Sequence, residues 1–582
     1  MGERVQQVTL VGGGTAGRLT ALLLTTFFRN EHKAPESRKI TLIESPSVKT
    51  VGVGEATVPS MPMLLRQAGV EEQDFFRRCN SSFKLGVLFD NWNLDRNGRS
   101  IAYINSFNEG PIIGGVESAH YYLKYGIGGG PFSDVITPAL DLARVFKGPR
   151  PIGGKAEEQN PGFAYHLDAG LFAEMLRDIC IARGVSHIRD DVVDVEQDER
   201  GFITALKMKA RERLPVELVV DCTGFRGMLI NKVLGEPFVD YSKYLANDRA
   251  AAIQIPHPDP DKIEPLTRST ALGAGWVWRV PLYNRVGTGY VFSSAHRSDE
   301  EACAELLAHL NATGQPPAEG SEPRIIPIRV GRTRNPWVKN CVSIGLSSGF
   351  IEPLESTAIF MIEMSVRWLL AYFPDRDFAE PLRARYNRTA NRLYDEVRDF
   401  ICLHYALNNR SDSPYWIDAR ESLEVPDSLA ANLELWKHCL PSRNDLDSRR
   451  LFSHRTYHAV LLGKQVYDNG FAPAPPISAA ALRQDLWRDH VKRMRQLITQ
   501  MVPLMPDLKT LLTAIRGELD PAALAAAGAP AAGPKIPPRP KGPLTPQVNI
   551  PGVKLAGGTV GLPGQAQPMK PQIAAMAASG NT

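Results

Sequence analysis

No two cysteines in this chain stand close enough in sequence to suggest a pair. The seven (Cys79, Cys180, Cys222, Cys303, Cys341, Cys402 and Cys439) are widely spaced, odd in number and include no Cys-x-x-Cys. That pattern speaks against a disulfide framework or a zinc knuckle and suits a reducing compartment; no metal site is expected. Long apolar runs are lacking too. The one nearest the N-terminus, Leu19 to Phe28, is broken by threonines and too short for a bilayer. It follows a glycine-rich turn rather than a basic leader, so neither a signal peptide nor a membrane span is expected. Gln6 in place of Ser or Thr argues against myristoylation, and a cytoplasmic location is expected. Charge of one sign is scarce: the formal net charge is +4, and Lys535, Arg539, Lys541, Lys554 and Lys570 have no acid to oppose them after Asp520. The rest of the chain is therefore nearly neutral and lacks the basic stripe that a nucleic acid or membrane surface would require. Finally, residues 521–582 contain 12 Pro, 9 Gly and 14 Ala but no Phe, Trp or Tyr. With nothing to bury, residues 516–582 are expected to form a disordered Pro/Ala/Gly-rich tail, most simply a spacer.

What remains is ordinary globular material, 43% hydrophobic and 22% charged in a chain of 582 residues, enough for two or three structural units. The first 45 residues read strand (Val8–Val11), glycine turn (Gly12–Gly17), helix (to Phe28) and strand (Ile40–Glu44), a βαβ unit. Strand-like runs recur at Leu218–Asp221, Trp276–Pro281, Gly289–Phe292 and Cys341–Ile344. From about Leu382 the pattern turns helical, notably over Arg383–Arg398 and Leu482–Met501. The expected fold is α/β: an FAD-binding sheet domain over residues 1–398, a helical C-terminal layer over 399–515, and the tail.

Gly12-x-Gly14-x-x-Gly17 between strand and helix lets backbone amides and the helix N-terminus approach a pyrophosphate without Cβ clashes. Thr15 and Ala16 sit inside that turn, and Glu44 closes the next strand, where an acid accepts from a ribose hydroxyl. This predicts a dinucleotide, NAD or FAD. A second small-residue turn follows Asp221 and a third begins at Gly345-Leu346. Three such turns over about 340 residues favour an extended FAD.

The blocks Gly12–Gly17, Gly52-Val-Gly-Glu-Ala-Thr-Val-Pro59, Gly275-Trp-Val-Trp-Arg-Val-Pro281 and Gly345 through Thr357 together resemble flavin-dependent halogenases of the tryptophan-halogenase type. Ser82-Phe-Lys84, Tyr165–Asp168, Asp221–Gly227 and Asp399–His404 support the resemblance, which runs in order from about residue 5 to at least 416. It implies a flavin-monooxygenase-like fold and a two-component enzyme. A separate flavin reductase supplies FADH2, oxygen adds to it, and chloride or bromide is oxidised to hypohalous acid. That oxidant passes to a lysine beside a small aromatic substrate, which undergoes electrophilic substitution. By motif match the lysine is Lys84 and its carboxylate is Glu355, with Ser356 beside it. The resemblance also implies flavin contacts at Gly54, Glu55 and Ala56 and a halide held near Thr357 and Ala358. Around the substrate it implies Trp276, Trp278, Asn105, Phe107, Pro59 and Phe350. Monomer or homodimer is expected.

These roles make physical sense. Lys84 is the only charge between Ser81 and Phe89, so burial of that run would desolvate its ammonium and lower its pKa. Partly neutral, it could form a haloamine; charged, it could donate a hydrogen bond to the oxidant. Glu355 could orient Lys84 or take up the proton lost from the ring. The ordinary alternatives are a snorkelling lysine and a Glu-Ser-Thr helix cap. Trp276 and Trp278 share one strand face by the period of two. Asp168 is a possible helix cap, with His166 structural. Relatives acting on free tryptophan carry a His and a Phe a little over twenty residues past the lysine; here that stretch is Tyr103-Ile-Asn105-Ser-Phe107. An indole, phenol or pyrrole without an amino-acid handle is therefore expected. Two rivals stand: a flavin hydroxylase of aromatics, and a redox-inert FAD-binding scaffold whose tail recruits a partner.

Overall fold

The structure, a computed structural model, describes residues 3–29, 38–48, 54–154, 162–446, 451–469, 473 and 482–520; the expected tail lies, from residue 521, outside them. Apolar runs without alternation favour a parallel sheet covered on both faces, and such a sheet forms. Its strand order is Ser186–Arg189, Lys39–Glu44, Gln7–Val11, Leu218–Asp221 and Cys341–Ser343, all parallel, with Trp337–Val338 antiparallel at the edge. Alternate side chains serve opposite faces. Val8 and Leu10 join the main core with the helix Thr15–Arg29, while Val11, Ile43 and Val219 join a second core under a three-stranded antiparallel sheet. Because the three central strands are parallel neighbours, the three glycine turns that follow Val11, Asp221 and Ser343 gather at one end of the sheet, the ligand-binding edge of such folds.

A seven-stranded sheet carries the second half of the site. It runs Arg324–Pro327, Arg249–Ile255, Val286–Phe292, Gly275–Pro281, Thr267–Leu272, Gly86–Leu94 and Ser100–Ser106, and only the Thr267–Leu272/Gly86–Leu94 pair is parallel. The short strands Gly54–Ala56 and Ser82–Lys84 flank Ala164–Asp168. Tyr165 and His166 are thus strand residues. Asp168 ends that strand and caps the helix Ala169–Ala182, accepting from the amides of Gly170 and Leu171.

The boundary expected at 398/399 falls inside one 27-residue helix, Glu380–Ala406. Its buried face (Tyr386, Leu393, Tyr394, Val397, Ile401, Tyr405) belongs to the same apolar core as the sheet helices, and the described residues lie within one compact unit, Met1–Gly533. All seven cysteines are free thiols. Among the described residues no helix is long and apolar enough to cross a membrane, and no cluster of side chains suits a metal ion.

Candidate active site

At the first glycine turn the backbone leaves no choice of residue. Gly12 has φ +124°, and a Cβ there would lie 2.1 Å from the Cys222 carbonyl oxygen; a Cβ on Gly17 would lie 2.0 Å from that of Gly12. At Gly14 a Cβ would meet nothing within 4 Å, so the turn leaves open space at the N-terminus of Thr15–Arg29, where unpaired amides favour an anion. The third turn closes on the first: Gly345 has φ +77°, and a Cβ on it would come 2.5 Å from that of Ala16. Leu346 beside it is exposed. Glu44 stands at the strand end, with Oε2 accepting from Arg18 Nη2 and His187 Nε2 at 2.8 Å each. Burial works against its ionisation, but those two partners outweigh it and hold the carboxyl below its ordinary range. This cradle fits an adenine dinucleotide.

The buried Asp221 carboxylate accepts from Thr223 N and Oγ1 and from the amides of Leu229 and Ile230, so both its oxygens are engaged in shaping the second turn. Glu55 is partly buried, and burial with the nearby Asp168 charge raises its pKa to about 7. Gly54 lies against Gly287 on the wall of a cavity of about 360 Å³, which includes neither Lys84 nor Glu355.

Lys84 ends its strand fully buried. The alternation that puts Phe83 among Phe76, Phe163 and Tyr165 turns Lys84 to the opposite face. Its Nζ donates to Thr57 O at 3.1 Å and Ser356 Oγ at 2.9 Å and stands 5.3 Å from the centre of the Phe107 ring. Burial lowers its pKa to about 7 against the pull of the Glu355 charge. No ion pair joins Lys84 directly to Glu355; the Ser356 hydroxyl is the contact between the two segments.

Glu355 and Ser356 occupy a bent connection, Pro353–Thr357, before the helix Ala358–Ala371. Glu352, Glu355 and Ser356 have φ of 129°, 65° and 59°, a concentration of left-handed backbone that non-glycine residues adopt at a cost. Neither Glu355 nor Ser356 caps the helix. Thr357 takes the N-cap position with no side-chain cap bond, which leaves the amides at Ala358 and beyond without a side-chain acceptor.

The carboxylate of Glu355 is buried, and Oε1 accepts from Asn105 Nδ2 at 2.9 Å. His404 Nε2 stands 3.4 Å from the same oxygen, too poorly aligned to count as a hydrogen bond. His404 Nδ1 meets Tyr103 OH at 3.0 Å. Asn105 and Phe107 thus join the Lys84–Glu355 pair. Trp276 and Trp278 share one face, in the main core, with Val277 on the other. Trp276 Nε1 donates to Glu352 Oε2 at 3.3 Å, and Glu352 also accepts from Asn247 and Tyr405. Trp278 lies over Gly289, where a Cβ would strike its ring at 2.2 Å. Phe350 packs edge-on against Phe225 at 5.8 Å, and Pro59 is exposed at the start of the helix Ser60–Gln67.

Four participants had no role assigned from sequence. Thr57 contributes a backbone carbonyl, which leaves no side-chain signal. His404 and Glu352 lie within the blocks that carry the resemblance and Tyr103 in the stretch that departs from it, but their contacts depend on elements far away in the chain.

A family model described as "Tryptophan halogenase" matches residues 7–477. Among curated relatives, the tryptophan 6-halogenase SttH of Streptomyces toxytricini is 37% identical over 81% of this chain and 92% of its own length. The tryptophan 7-halogenase RebH of Lentzea aerocolonigenes is 33% identical over 82% and 92%. Among solved structures, the flavin-dependent halogenase BrvH of Brevundimonas sp. BAL3 superimposes with a TM-score of 0.77 at 37% identity, covering 88% of this chain and 99% of that one. The turns, the buried lysine and these likenesses converge: the chain is a member of the tryptophan halogenase family of flavin-dependent enzymes.

Proposed function

We propose that this enzyme is a two-component FAD-dependent halogenase that chlorinates or brominates an electron-rich, indole-like aromatic through hypohalous acid relayed to Lys84. When bound, FAD reduced by a separate reductase supplies, with oxygen, the oxidising power that turns halide into hypohalous acid. The chain's own residues do the rest. Gly12, Gly14, Gly17 and Gly345 admit the dinucleotide, and Thr357 and Ala358 lie at the helix N-terminus assigned to the halide. Lys84 receives the oxidised halogen beside Phe107, Ser356 holds the amine in place, and Glu355 takes up the ring proton.

The observation that carries this reading is the buried Lys84 amine, beside an aromatic wall and bonded to Thr57 O and to the hydroxyl of Ser356, the residue that follows the buried Glu355. The curated relatives are named for tryptophan. Here the amide of Asn105 is engaged with Glu355, and an aromatic without an amino-acid handle is the preferred substrate. The test is incubation with reduced FAD, oxygen, bromide and a panel of indole, phenols and free tryptophan, read by mass spectrometry. A bromine isotope doublet that vanishes in Lys84→Ala is expected. An oxygenated product that forms equally well without halide would overturn the reading in favour of a hydroxylase.

A further inference from the structure

We propose that Asn105 is the positioning residue that decides which oxygen of Glu355 accepts the ring proton. The inference rests on the reading above in which Glu355 is the base. Glu355 is buried, so no solvent shell orients its carboxylate, and the bent backbone at φ 65° fixes only where the side chain starts. Its orientation comes from the strand Ser100–Ser106. Tyr103 and Asn105 lie two residues apart on one face of that strand, and both turn toward the carboxylate. Asn105 donates to Oε1 directly at 2.9 Å. Tyr103 acts through His404, whose ring is stacked on Phe89 at 4.6 Å and 8°, while Phe89 is stacked on Tyr103 at 4.8 Å and 1°.

The tautomer of His404 follows from this network. The Glu355 carboxylate, an acceptor only, lies 3.4 Å from Nε2, which favours the tautomer with hydrogen on Nε2; the Tyr103 hydroxyl, 3.0 Å from Nδ1, then donates to that nitrogen. Asn105 bonds Oε1, and the Nε2 hydrogen lies on the side of the same oxygen. Oε2 is the oxygen available to the ring: the C–H bond breaks, its electron pair restores aromaticity, the proton goes to Oε2, and halogen stays on carbon. Of the two donors only Asn105 is at full hydrogen-bond geometry, and its amide is neutral at every pH. The charged or titratable groups around Glu355 are Lys84 and Tyr103 from the two strands and His404 from the helix. Lys464 lies behind His404, donating to its carbonyl at 3.0 Å.

The test uses the full-length enzyme with reduced FAD, bromide and indole as the probe substrate, comparing Asn105→Leu, Glu355→Gln and the double variant. Removing that donor leaves the carboxylate free to turn away from the ring. Asn105→Leu should therefore lower kcat about tenfold to a hundredfold and leave KM within about twofold. In the Glu355→Gln background the same change should have no further effect, because no ionised carboxylate is left to position. Asn105→Ala, which adds no bulk, must show the same direction if Asn105→Leu folds poorly. If Glu355→Gln is itself as active as the parent, the assignment of the base fails. If Glu355→Gln is impaired but the Asn105 variants keep the parent kcat, lose it through KM instead, or add their full loss to Glu355→Gln, the positioning role is overturned.

Discussion

Among the described residues two lysines are fully buried, and burial lowers both to a pKa of about 7, yet their surroundings differ. Lys84 ends a strand, meets a hydroxyl and a carbonyl, overhangs Phe107 and feels the charge of Glu355. Lys464 caps the helix His454–Gly463. Its Nζ donates to Asn93 Oδ1 at 2.7 Å and His404 O at 3.0 Å, and the rings of Trp92 and Tyr103 lie 5.7 and 5.6 Å away. No carboxylate charge offsets its desolvation. A depressed lysine pKa is thus no mark of chemistry by itself. What separates the two is that Lys84 sits where the Ser356 hydroxyl, a carboxylate and an aromatic wall meet, whereas Lys464 ties a helix end to the back of His404.

The largest effect that can break this contrast is on turnover. Lys84→Met, close in length and without charge, should reduce bromination of indole by roughly a thousandfold or more while the protein still melts cooperatively. Lys464→Met should keep kcat within about threefold of the parent. Equal losses in the two variants would show that burial, and not the neighbourhood, is what the reaction requires.

The sheet was legible because its signals are local: apolar runs, glycine turns and the period of two each act within a few residues. The same holds for the burial of Lys84, a lone charge in an apolar run. Contacts made across the chain were not legible. The hydroxyl on Lys84 comes from Ser356, 272 positions away, and its other acceptor is a backbone carbonyl. Asp221 ends a strand before glycines, a local signal, but its bonds from the amides of Leu229 and Ile230 form only once the chain turns back. The boundary placed at 398/399 marked a change of composition, whereas the helix crossing it presents one continuous apolar face to the sheet body. Lys464 follows a helix end, where a lysine ordinarily stays in water and favours the helix dipole.

A second difference is expected to be absent. Each lysine titrates near 10.5 when unfolded and about 7 when folded, so between those values the unfolded chain holds more protons and stability rises with pH. Lys84→Met and Lys464→Met should each flatten the rise in melting temperature between pH 7 and 10, and by similar amounts. Proton uptake measured on unfolding at pH 8 to 9 checks this. A flattening confined to one variant would mean that the other amine is charged in the native protein and paired more strongly than its contacts indicate.

The smallest effect concerns the two glutamates of one bent connection. Glu355 accepts from Asn105, while Glu352 accepts from Asn247, Tyr405 and Trp276. Burial raises the Glu352 carboxyl from 4.5 to about 7 despite those three donors. A raised acid favours the folded state at low pH, so its contribution is full below about 4.5 and is lost as pH rises to 7. Glu352→Gln cannot ionise and should remove that decline, giving a flatter melting curve between pH 4.5 and 7. It also turns an amide N–H toward one of three donors, which should lower the melting temperature by a few degrees at pH 5. Because Glu352 holds Trp276 rather than the substrate, kcat for indole should fall less than about fivefold, well short of the Asn105 variants. A loss as deep as that of Glu355→Gln would place both carboxylates in the chemistry.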